Sequence, residues 1–275
     1  MDRIILITGA SSGIGKTITE YLAGKSYVVF AGARKEKDID ELNKIANVSG
    51  VKLDVTKPEE IKQVVQQIED EKGHLDCLIN NAGIMGWGAV IDREMEYYKS
   101  VFDVNLWGNV SMVKAAYPLL RKSNNNPVIF NISSQGANYT LPFWSPYMMS
   151  KHALEAFTGC VRREFLSEGV RVVSIAPGAL KSNMLNSQQE ALDKYEQSYK
   201  SEFSSKVVKM LGVPIRKKKN RGKSPDIVGE LIYRVINNGS RKARYEPGKQ
   251  FVPDVILQRL PTGMIDKMIM KILSK

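Results

Sequence analysis

The stretch that decides the fold lies near the N-terminus, where the chain reads Ile4-Ile5-Leu6-Ile7-Thr8-Gly9-Ala10-Ser11-Ser12-Gly13-Ile14-Gly15. The apolar run predicts a short buried strand, and the residues after it follow a helical pattern. Glycines at such a junction let the backbone turn tightly and come close to a ligand. A pyrophosphate can then sit over the N-terminus of the helix. We therefore expect a dinucleotide to bind at this turn.

Short apolar runs alternate with helical patterns along the first two thirds of the chain. The predicted strands cover residues 4–7, 27–30, 50–53, 75–80, 128–132 and 170–176. After the third strand, Pro58 and two following glutamates favour the start of a helix. Regular alternation predicts an α/β fold with one parallel sheet, right-handed crossovers and helices on both faces. We find no internal repeat and no flexible linker, so we expect a single domain over residues 1–275.

Further motifs along the chain resemble those of the short-chain dehydrogenase/reductase family in order and spacing. The glycine turn matches the pattern T-G-x-x-x-G-x-G of that family. The other matching positions are Asn80-Asn81-Ala82-Gly83, Asn105 in a D-V-N segment, Ser134, Tyr147-Met148-Met149-Ser150-Lys151 and Pro177-Gly178. The resemblance covers about residues 3–180 and is closest to the hydroxysteroid/retinol dehydrogenase-like branch. It implies a single doubly wound Rossmann-type domain.

Four of these residues form a candidate catalytic set. Tyr147 and Lys151 are four apart on a predicted helix, so they share one face. A nearby cation lowers the pKa of a phenol, which lets Tyr147 act as a general acid or base. Ser134 can hold the substrate oxygen by a hydrogen bond. The resemblance implies that Asn105 completes a proton relay through a bound water and that Lys151 also holds the nicotinamide ribose.

The same resemblance assigns residues to the cofactor site. These are Thr8, Gly9, Ser11, Ser12, Gly13, Ile14, Gly15, Arg34, Asp54, Val55, Asn81, Ala82, Gly83, Tyr147, Lys151, Pro177, Gly178, Leu180 and Ser182. At the end of the second strand Ala33 replaces the acidic residue that would select NAD. Arg34 can bind a 2′-phosphate through two donors, which favours NADP. Many NADP-dependent members of the family carry a basic residue at the position of Ser12. Because Ser12 is not basic, NAD remains the alternative.

The segment from about 179 to 223 interrupts the regular pattern. Its apolar residues appear scattered, with Met184, Leu185, Met210 and Leu211 as the main points, so we expect a mobile substrate lid or a disordered insertion. Around Tyr147 lie Tyr139, Leu141, Phe143 and Trp144. They indicate either a pocket for a hydrophobic alcohol or carbonyl compound, or packing against the lid or another subunit. An amphipathic helix is predicted at about 261–274, with its apolar side packed on the domain or on a membrane surface or subunit.

The positive charge of the chain is concentrated in its C-terminal quarter. The net charge is +11; eight Lys/Arg and no acid lie between Lys206 and Lys223, and eight more oppose three acids from Arg241 to Lys275. The run at 216–221 has no aromatic residue, so we expect no nucleic-acid binding. This basic stretch is either a solvated loop or a patch for an anionic partner, and peripheral membrane contact is one form of the second.

The composition also indicates where the protein is located and whether it spans a membrane or binds a metal. Two cysteines, Cys77 and Cys160, are too few for a disulfide framework, so we expect a cytoplasmic protein. No run approaches about 18 apolar residues, so no transmembrane helix is expected. His74 and His152 lack the spacing of metal ligands, and we expect no metal. The resemblance implies a homodimer or homotetramer.

The sequence thus predicts an NADP(H)-dependent oxidoreductase that interconverts an alcohol and a carbonyl compound. An NAD-dependent alcohol dehydrogenase of the same family is one alternative. A catalytically idle nucleotide-binding regulator at a membrane surface is another.

Overall fold

The computed structural model describes residues 3–181, 184–199, 201–217, 222–239, 242–248 and 260–273. At its centre is a sheet of seven strands in the order β3-β2-β1-β4-β5-β6-β7, and every neighbouring pair is parallel. The strands are β1 (Ile4–Ile7), β2 (Val28–Ala33), β3 (Val48–Lys52), β4 (Cys77–Asn80), β5 (Val128–Ile132), β6 (Arg171–Ile175) and β7 (Arg244–Tyr245). This sheet confirms the predicted fold class.

Helices connect the strands and extend beyond the last long one. They are α1 (Gly13–Ala23), α2 (Glu36–Asn43), α3 (Pro58–Lys72), α4 (Met95–Phe102), α5 (Gly108–Arg121), α6 (Ser145–Glu164), α7 (Met184–Ser198), α8 (Ser204–Lys217), α9 (Asp226–Asn238) and α10 (Thr262–Leu273). As predicted, α3 opens with Pro58 and carries two glutamates in its first turn. Acidic residues there stabilise the positive end of the helix dipole.

Both faces of the sheet are covered, which is why its central strands are mostly apolar. Along β1, Ile5 and Ile7 pack with residues of α1 and α9 on one face. Ile4 and Leu6 point to the other face and pack with residues of α3 and α5. All four are buried, and each such side chain contributes about 1.5–3 kcal/mol when it is removed from water. The two clusters hold the carboxyl ends of the strands, and the loops that follow them, in place.

The strand predictions were right in number for the first six strands and less accurate at their ends. β2 runs three residues past the predicted end, to Ala33, and β4 starts at Cys77, two residues after the predicted start. The sequence did not predict β7 as a strand. It has only two residues, and it pairs with Ser174 and Ile175 of β6.

The segment 179–223 holds two helices, α7 and α8, so the alternative of a disordered insertion was wrong, while the substrate lid stays a prediction. Their buried residues Leu192, Tyr195, Val207 and Leu211 form a third apolar cluster with Trp87 and Ala89. That spacing is helical, but the prediction rested on other apolar points and overlooked three of these four residues. The side chains of Met184 and Leu185 lie outside the described residues.

The C-terminal helix α10 lies where the sequence predicts it. It contacts α8, yet Met264, Met268 and Met270 are 52%, 49% and 61% exposed. Ile265, Ile269 and Leu273 of the same helix are half-buried, so the apolar side of α10 is covered only in part. Within the described ranges no helix is both long and apolar enough to cross a membrane.

Candidate active site

The glycine turn has the shape that close approach of a phosphate requires. Gly9 and Gly13 have φ of +65° and +56°, in the left-handed region that glycine tolerates best. A Cβ on Gly15 would lie 2.2 Å from the carbonyl oxygen of Gly9, so no larger residue fits there. A Cβ on Gly13 would meet nothing within 4 Å. The turn is thus closed on the protein side and open above the start of α1.

The N-terminus of α1 is available to an anion. Ser12, the residue before the helix, is extended and exposed, and its side chain makes no capping hydrogen bond. The first N–H groups of the helix are therefore not satisfied by that side chain. Free N–H groups at a helix N-terminus attract phosphate. Ser11, Gly13 and Ile14 lie at this end, half-buried, and the residues fit the pyrophosphate of a dinucleotide.

Two predicted cofactor residues hold the turn together instead of facing open space. The Oγ1 of Thr8 accepts hydrogen bonds from the backbone N–H groups of Asn81 and Ala82, at 3.0 and 2.9 Å. The Nδ2 of Asn81 donates to the carbonyl oxygens of Thr8 and Gly9, both at 2.9 Å. These four bonds join the loops that follow β1 and β4. Thr8 and Asn81 thus fix the shape of the cofactor site.

Arg34 and Asp54 lie together at the ends of β2 and β3. Although partial burial raises it, the pKa of Asp54 is held below its usual value by hydrogen bonds from Thr56 and by the charge of Arg34. Arg34 is exposed and makes no hydrogen bond or ion pair with any residue in the described ranges. Its donors are free for a ligand. Val55, also predicted here, is buried and packs closely against Gly108.

Ser134 and Tyr147 meet beside Gly136. Ser134 follows β5 and accepts a hydrogen bond from the backbone N–H of Gly136 at 3.0 Å. A Cβ on Gly136 would lie 3.3 Å from the Ser134 Oγ and 3.5 Å from the Tyr147 Cε1. Burial raises the pKa of Tyr147 above its usual value, and a hydrogen bond with Ser134 opposes this rise. The pair has the arrangement expected of a proton donor and an oxygen-binding hydroxyl.

Lys151 lies on the same face of α6 as Tyr147, as the four-residue spacing predicts. Its Nζ donates to the carbonyl oxygen of Ile132 at 2.9 Å and lies 5.9 Å from the centre of the Tyr147 ring. Burial lowers the pKa of Lys151 to about 8, although Glu155 raises it. The predicted lowering of the Tyr147 pKa is not seen in the protein alone, because burial dominates and the lysine points at a carbonyl.

Asn105 lies at the centre of a widened helical turn, Asp103–Trp107, between α4 and α5. Such π-helical turns occur often at functional sites, and the sequence did not predict this one. Asn105 is fully buried. A Cβ on Gly83 would lie 3.3 Å from the Asn105 Oδ1 and 3.6 Å from the Lys151 Nζ. The structure therefore brings Asn105, Lys151 and the loop after β4 together.

The loop after β6 forms the remaining edge of the site. The carbonyl oxygen of Pro177 accepts a hydrogen bond from Gln135 N at 3.1 Å, and Gly178 N donates to Pro247 O at 2.9 Å. Leu180 forms a short β-bridge with Lys223. Ser182, the last predicted cofactor residue, lies outside the described residues.

Sequence reasoning missed Gln135. Its side-chain oxygen would lie 2.7 Å from a Cβ on Gly178, and its Nε2 is buried without a hydrogen-bond partner in the part of the chain that the structure describes. The one available signal was its position, directly after Ser134.

The glycine turn, Ser134, Tyr147, Lys151 and Asn105 all follow the carboxyl ends of neighbouring strands, which is where open α/β sheets bind ligands. A family model described as short chain dehydrogenase matches residues 3–193. The chain belongs to the short-chain dehydrogenase family.

Curated relatives agree with this assignment. Estradiol 17-beta-dehydrogenase 2 of Mus musculus is 34% identical to this short-chain dehydrogenase, and the match covers 98% of the chain and 74% of that protein. 3-Ketodihydrosphingosine reductase of Bacteroides thetaiotaomicron is 30% identical, with coverage of 93% and 95%. Mitochondrial D-beta-hydroxybutyrate dehydrogenase of Mus musculus is 38% identical over 64% of the chain and 54% of its own length. The first of these supports the predicted hydroxysteroid dehydrogenase-like branch.

Solved structures share the fold. A short-chain dehydrogenase from Streptomyces avermitilis superposes with a TM-score of 0.78 at 23% identity, over 100% of this chain and 96% of the other. Ligand-free aldohexose dehydrogenase from Thermoplasma acidophilum gives a TM-score of 0.71 at 25% identity, over 90% of this chain and 93% of the other.

The family model and the curated relatives together show that this short-chain dehydrogenase is an NAD(P)-dependent oxidoreductase that acts on CH–OH groups, as the sequence predicted.

Proposed function

We propose that this enzyme is an NADP(H)-dependent oxidoreductase that interconverts a hydrophobic alcohol and its carbonyl compound, with Tyr147 as the general acid and base. The observation that carries the proposal is the contact of Ser134 and Tyr147 around Gly136, with Lys151 one turn further along α6.

The chemistry follows from the positions of these side chains. The nicotinamide, when bound, supplies or accepts the hydride. Ser134 donates a hydrogen bond to the substrate oxygen and stabilises the charge that develops on it. In reduction Tyr147 gives its proton to that oxygen, and in oxidation it takes the proton back. Lys151, with a pKa of about 8, is mostly charged at neutral pH, and a cation favours the phenolate of Tyr147.

Asn105 lies near Lys151 in the same site. Its side chain lies against Gly83 together with the Nζ of Lys151. We assign it the proton relay that connects Lys151 to solvent through a water molecule. Lys151 also holds the ribose of the nicotinamide in this proposal.

The choice of NADP rests on Arg34. Its guanidinium lies at the end of β2, where a dinucleotide places the adenine ribose, and it is free of partners among the described residues. Glu36, the nearest acid along the chain, is paired with Lys52 at 2.9 Å. A free guanidinium beside a neutralised carboxylate supports binding of a 2′-phosphate.

A hydrophobic substrate is supported by the side chains near Tyr147. The ring of Trp144 lies 6.2 Å from that of Tyr147, and Phe143 and Trp144 pack against the cluster formed by α7 and α8. Two relatives carry the names of apolar substrates, a steroid and a long-chain sphingoid ketone. A third is named for a small hydroxy acid, so a substrate screen has to include both kinds.

The test begins with coenzyme titration, followed by nicotinamide fluorescence. We expect NADPH to bind at least tenfold more tightly than NADH, a difference of about 1.4 kcal/mol. Preference for NADH overturns the NADP assignment, and no binding below millimolar overturns the enzyme proposal. Oxidation of 2-octanol, cyclohexanol, estradiol and D-3-hydroxybutyrate is then measured, and the apolar alcohols are expected to react faster than the acid.

Tyr147→Phe separates catalysis from mere binding. The variant keeps the ring and loses the acidic proton, so turnover should fall by about a hundredfold or more while coenzyme affinity stays unchanged. Tyr117→Phe on α5, whose hydroxyl bonds Glu168 away from the site, is the matched control and should retain activity. An unchanged rate in Tyr147→Phe overturns the role of Tyr147 as general acid and base, whereas no turnover in wild type favours the idle nucleotide-binding regulator.

A cytoplasmic location and a homodimer or homotetramer belong to the same proposal. The exposed Trp107 and Met149, which are 56% and 51% accessible, support contact with a second subunit. Light scattering coupled to size exclusion tests this, and a monomer at micromolar concentration contradicts it.

Contact with an anionic membrane surface is a second proposal, favoured by α10. Its exposed methionines alternate with Lys267 and Lys271, which are also exposed, and such helices lie in the interface of anionic bilayers. Co-sedimentation with phosphatidylserine vesicles is expected for the full chain and not for a chain that ends at residue 261. Equal sedimentation of both, or none, overturns this proposal.

A further inference from the structure

The loop from Ile84 to Arg93, here called the 84–93 loop, is tied to the candidate active site along its first half. Ile84 is hydrogen-bonded to the side chain of Asn105. The carbonyl oxygen of Gly86 accepts a hydrogen bond from Tyr147 N at 3.3 Å, and Gly88 N donates to Phe143 O at 2.8 Å. A shift of this loop therefore acts directly on the backbone that carries Tyr147.

The far end of the 84–93 loop holds α7 through Arg93. The guanidinium carbon lies 4.8 Å from the ring centre of Tyr195 on α7 and 5.2 Å from that of Tyr199, just after α7. Two further rings lie near it, that of Tyr97 on α4 at 4.3 Å and that of Trp87 in the same loop at 5.3 Å. Attraction between a cation and aromatic rings strengthens when the cation is partly removed from water, as Arg93 is.

Asp92, the neighbour of Arg93, adds a second kind of bond to the same helix end. Its buried carboxylate accepts hydrogen bonds from the hydroxyl of Tyr195 and from the Oγ of Ser201, the latter at 2.9 Å. The hydroxyl of Tyr195 also accepts from Ala89 N at 3.2 Å. Removing α7 would leave a buried carboxylate without these donors, which is costly.

The absence of a side chain at Gly88 leaves room for the side chain of Arg93. Gly88 has φ of +136°, and a Cβ there would lie 2.4 Å from the Nε of Arg93. The Nε itself donates to the carbonyl oxygen of Trp87 at 2.9 Å. A side chain at position 88 would displace the arginine, so the glycine and the arginine depend on each other.

The helices held in this way lie beside the substrate position. Phe143 and Trp144, which come shortly before Tyr147, pack in one cluster with buried residues of α7 and α8. The rings of Phe143 and Phe203 are 6.5 Å apart. The position of α7 and α8 therefore sets the wall against which a substrate lies.

We propose that Asp92 and Arg93 form a latch that fastens α7 and α8 to the 84–93 loop, and that both are positioning residues for the alcohol or carbonyl substrate. The role for substrate rests on the proposed function, whereas the fastening itself does not. For α7 and α8 to move away from the candidate active site, Arg93 must leave the rings of Tyr195 and Tyr199, and Asp92 must lose two hydroxyl donors.

Limited trypsin digestion tests the fastening without any substrate. We compare wild type with Arg93→Met, Arg93→Lys, Tyr195→Phe and the control Arg163→Met, which removes an exposed arginine of α6. Mass spectrometry follows cleavage at Lys194, Lys206 and Lys209. Arg93→Met is expected to be cut about tenfold faster there, since local opening exposes these bonds, and the control at the wild-type rate. Arg93→Lys restores the cation and should lie between the two.

Tyr195→Phe tests the hydroxyl that bonds Asp92 and Ala89 N, because it keeps the ring under Arg93 and removes only that group. It should speed cleavage by about threefold. Dissociation constants for NADPH should stay within about twofold of wild type in all variants, since the coenzyme turn is not touched. Wild-type cleavage of Arg93→Met overturns the latch. If Arg93→Met loses coenzyme affinity and thermal stability together with the faster cleavage, the latch is overturned as well, because such losses mark a general folding defect.

The kinetic part uses the apolar alcohol that wild type oxidises fastest in the panel above. A latch that positions substrate predicts a KM raised by about tenfold in Arg93→Met with kcat changed far less. If kcat of Arg93→Met instead falls by about tenfold and its KM is unchanged, the positioning role is overturned. If the enzyme oxidises none of the panel, the proposed function fails while the digestion result still decides the latch.

Discussion

Asn105 pairs with the backbone of Ile84 much as one β-strand pairs with another. Its Oδ1 accepts a hydrogen bond from Ile84 N at 2.8 Å, and its Nδ2 donates to Ile84 O at 2.9 Å. The same Nδ2 donates to the Oγ of Ser150 at 3.0 Å. One buried amide thus joins the loop after β4 to the helix that carries Tyr147 and Lys151.

Asn105→Ala should therefore destabilise the fold. It leaves the N–H and C=O of Ile84 without their partner in a buried setting, and we expect the free energy of unfolding to fall by about 2–3 kcal/mol. Urea denaturation measures this. Asn105→Asp keeps the acceptor for Ile84 N but places a buried carboxylate oxygen opposite Ile84 O, so we expect a loss at least as large as in Asn105→Ala. A loss below about 0.5 kcal/mol in Asn105→Ala would contradict the pairing.

Lys151 makes the stability of the coenzyme-free enzyme depend on pH. Burial lowers its pKa to about 8 from an ordinary value of 10.5. Between these pH values the unfolded chain binds more protons at this lysine than the folded one, so the contribution of Lys151 to the free energy of unfolding should rise with pH. The buried thiol of Cys77, whose pKa is raised by burial, contributes in the opposite sense in both proteins. Lys151→Met should lack this rise. Urea denaturation of both proteins from pH 8 to about 10 measures the difference, below the range in which tyrosines of raised pKa act in the opposite sense.

Arg34→Gln should weaken NADPH and leave NADH unchanged. The guanidinium can meet a 2′-phosphate with two charged hydrogen bonds, and we expect its loss to raise the dissociation constant of NADPH by about tenfold. Fluorescence titration of both coenzymes measures this. Lys35→Gln is the matched control on the neighbouring exposed cation. Equal weakening of NADPH and NADH would show that Arg34 does not distinguish them.

Two alanine substitutions in the glycine turn should behave differently. In Gly15→Ala the new Cβ would fall 2.2 Å from Gly9 O and 2.4 Å from the Asn81 Nδ2, so the turn must shift, and we expect a stability loss of about 1–3 kcal/mol. In Gly13→Ala the new Cβ meets nothing within 4 Å, so only the positive φ costs energy, about 1 kcal/mol.

The second of these variants is the sharper test of the cofactor site. Because the methyl group of Gly13→Ala occupies the open side of the turn, coenzyme affinity should fall more than stability does. Thermal melting and coenzyme titration of the two variants separate these effects. Unchanged coenzyme binding in Gly13→Ala would place the pyrophosphate elsewhere.

The sequence predicted the parts of the fold that local patterns determine. The central strands are buried on both faces, and their apolar runs are visible without a structure, as at Ile4–Ile7. β7 was missed because two residues, Arg244 and Tyr245, carry no pattern. They become a strand only through pairing with β6. The helix α7 was missed because its apolar residues are separated by polar ones, although Leu192 and Tyr195 are helically spaced. The helix α8 was missed although Val207 and Leu211 are also helically spaced.

For the candidate site, spacing predicted which residues meet but not how they are bonded. Tyr147 and Lys151 share a face of α6, as four-residue spacing requires. The hydrogen bond from Lys151 to Ile132 O, by contrast, depends on how α6 packs on β5. The widened turn around Asn105 likewise arises from tertiary contacts. Thr8 and Asn81, which the resemblance assigns to the cofactor, also bond to the protein, and no single-sequence pattern reveals those bonds.

The pairing of β7 also dictates when the site can be completed during synthesis. Ala176 N and Gly178 N donate to the carbonyl oxygens of Tyr245 and Pro247, so one edge of the site is supplied by residues that leave the ribosome late. Chains emerge N-terminus first at about 5–20 residues per second. The dinucleotide turn can form while translation continues, but its catalytic edge waits for residue 247. A ribosome that stalls before residue 244 therefore holds a chain with a complete glycine turn and an open active site.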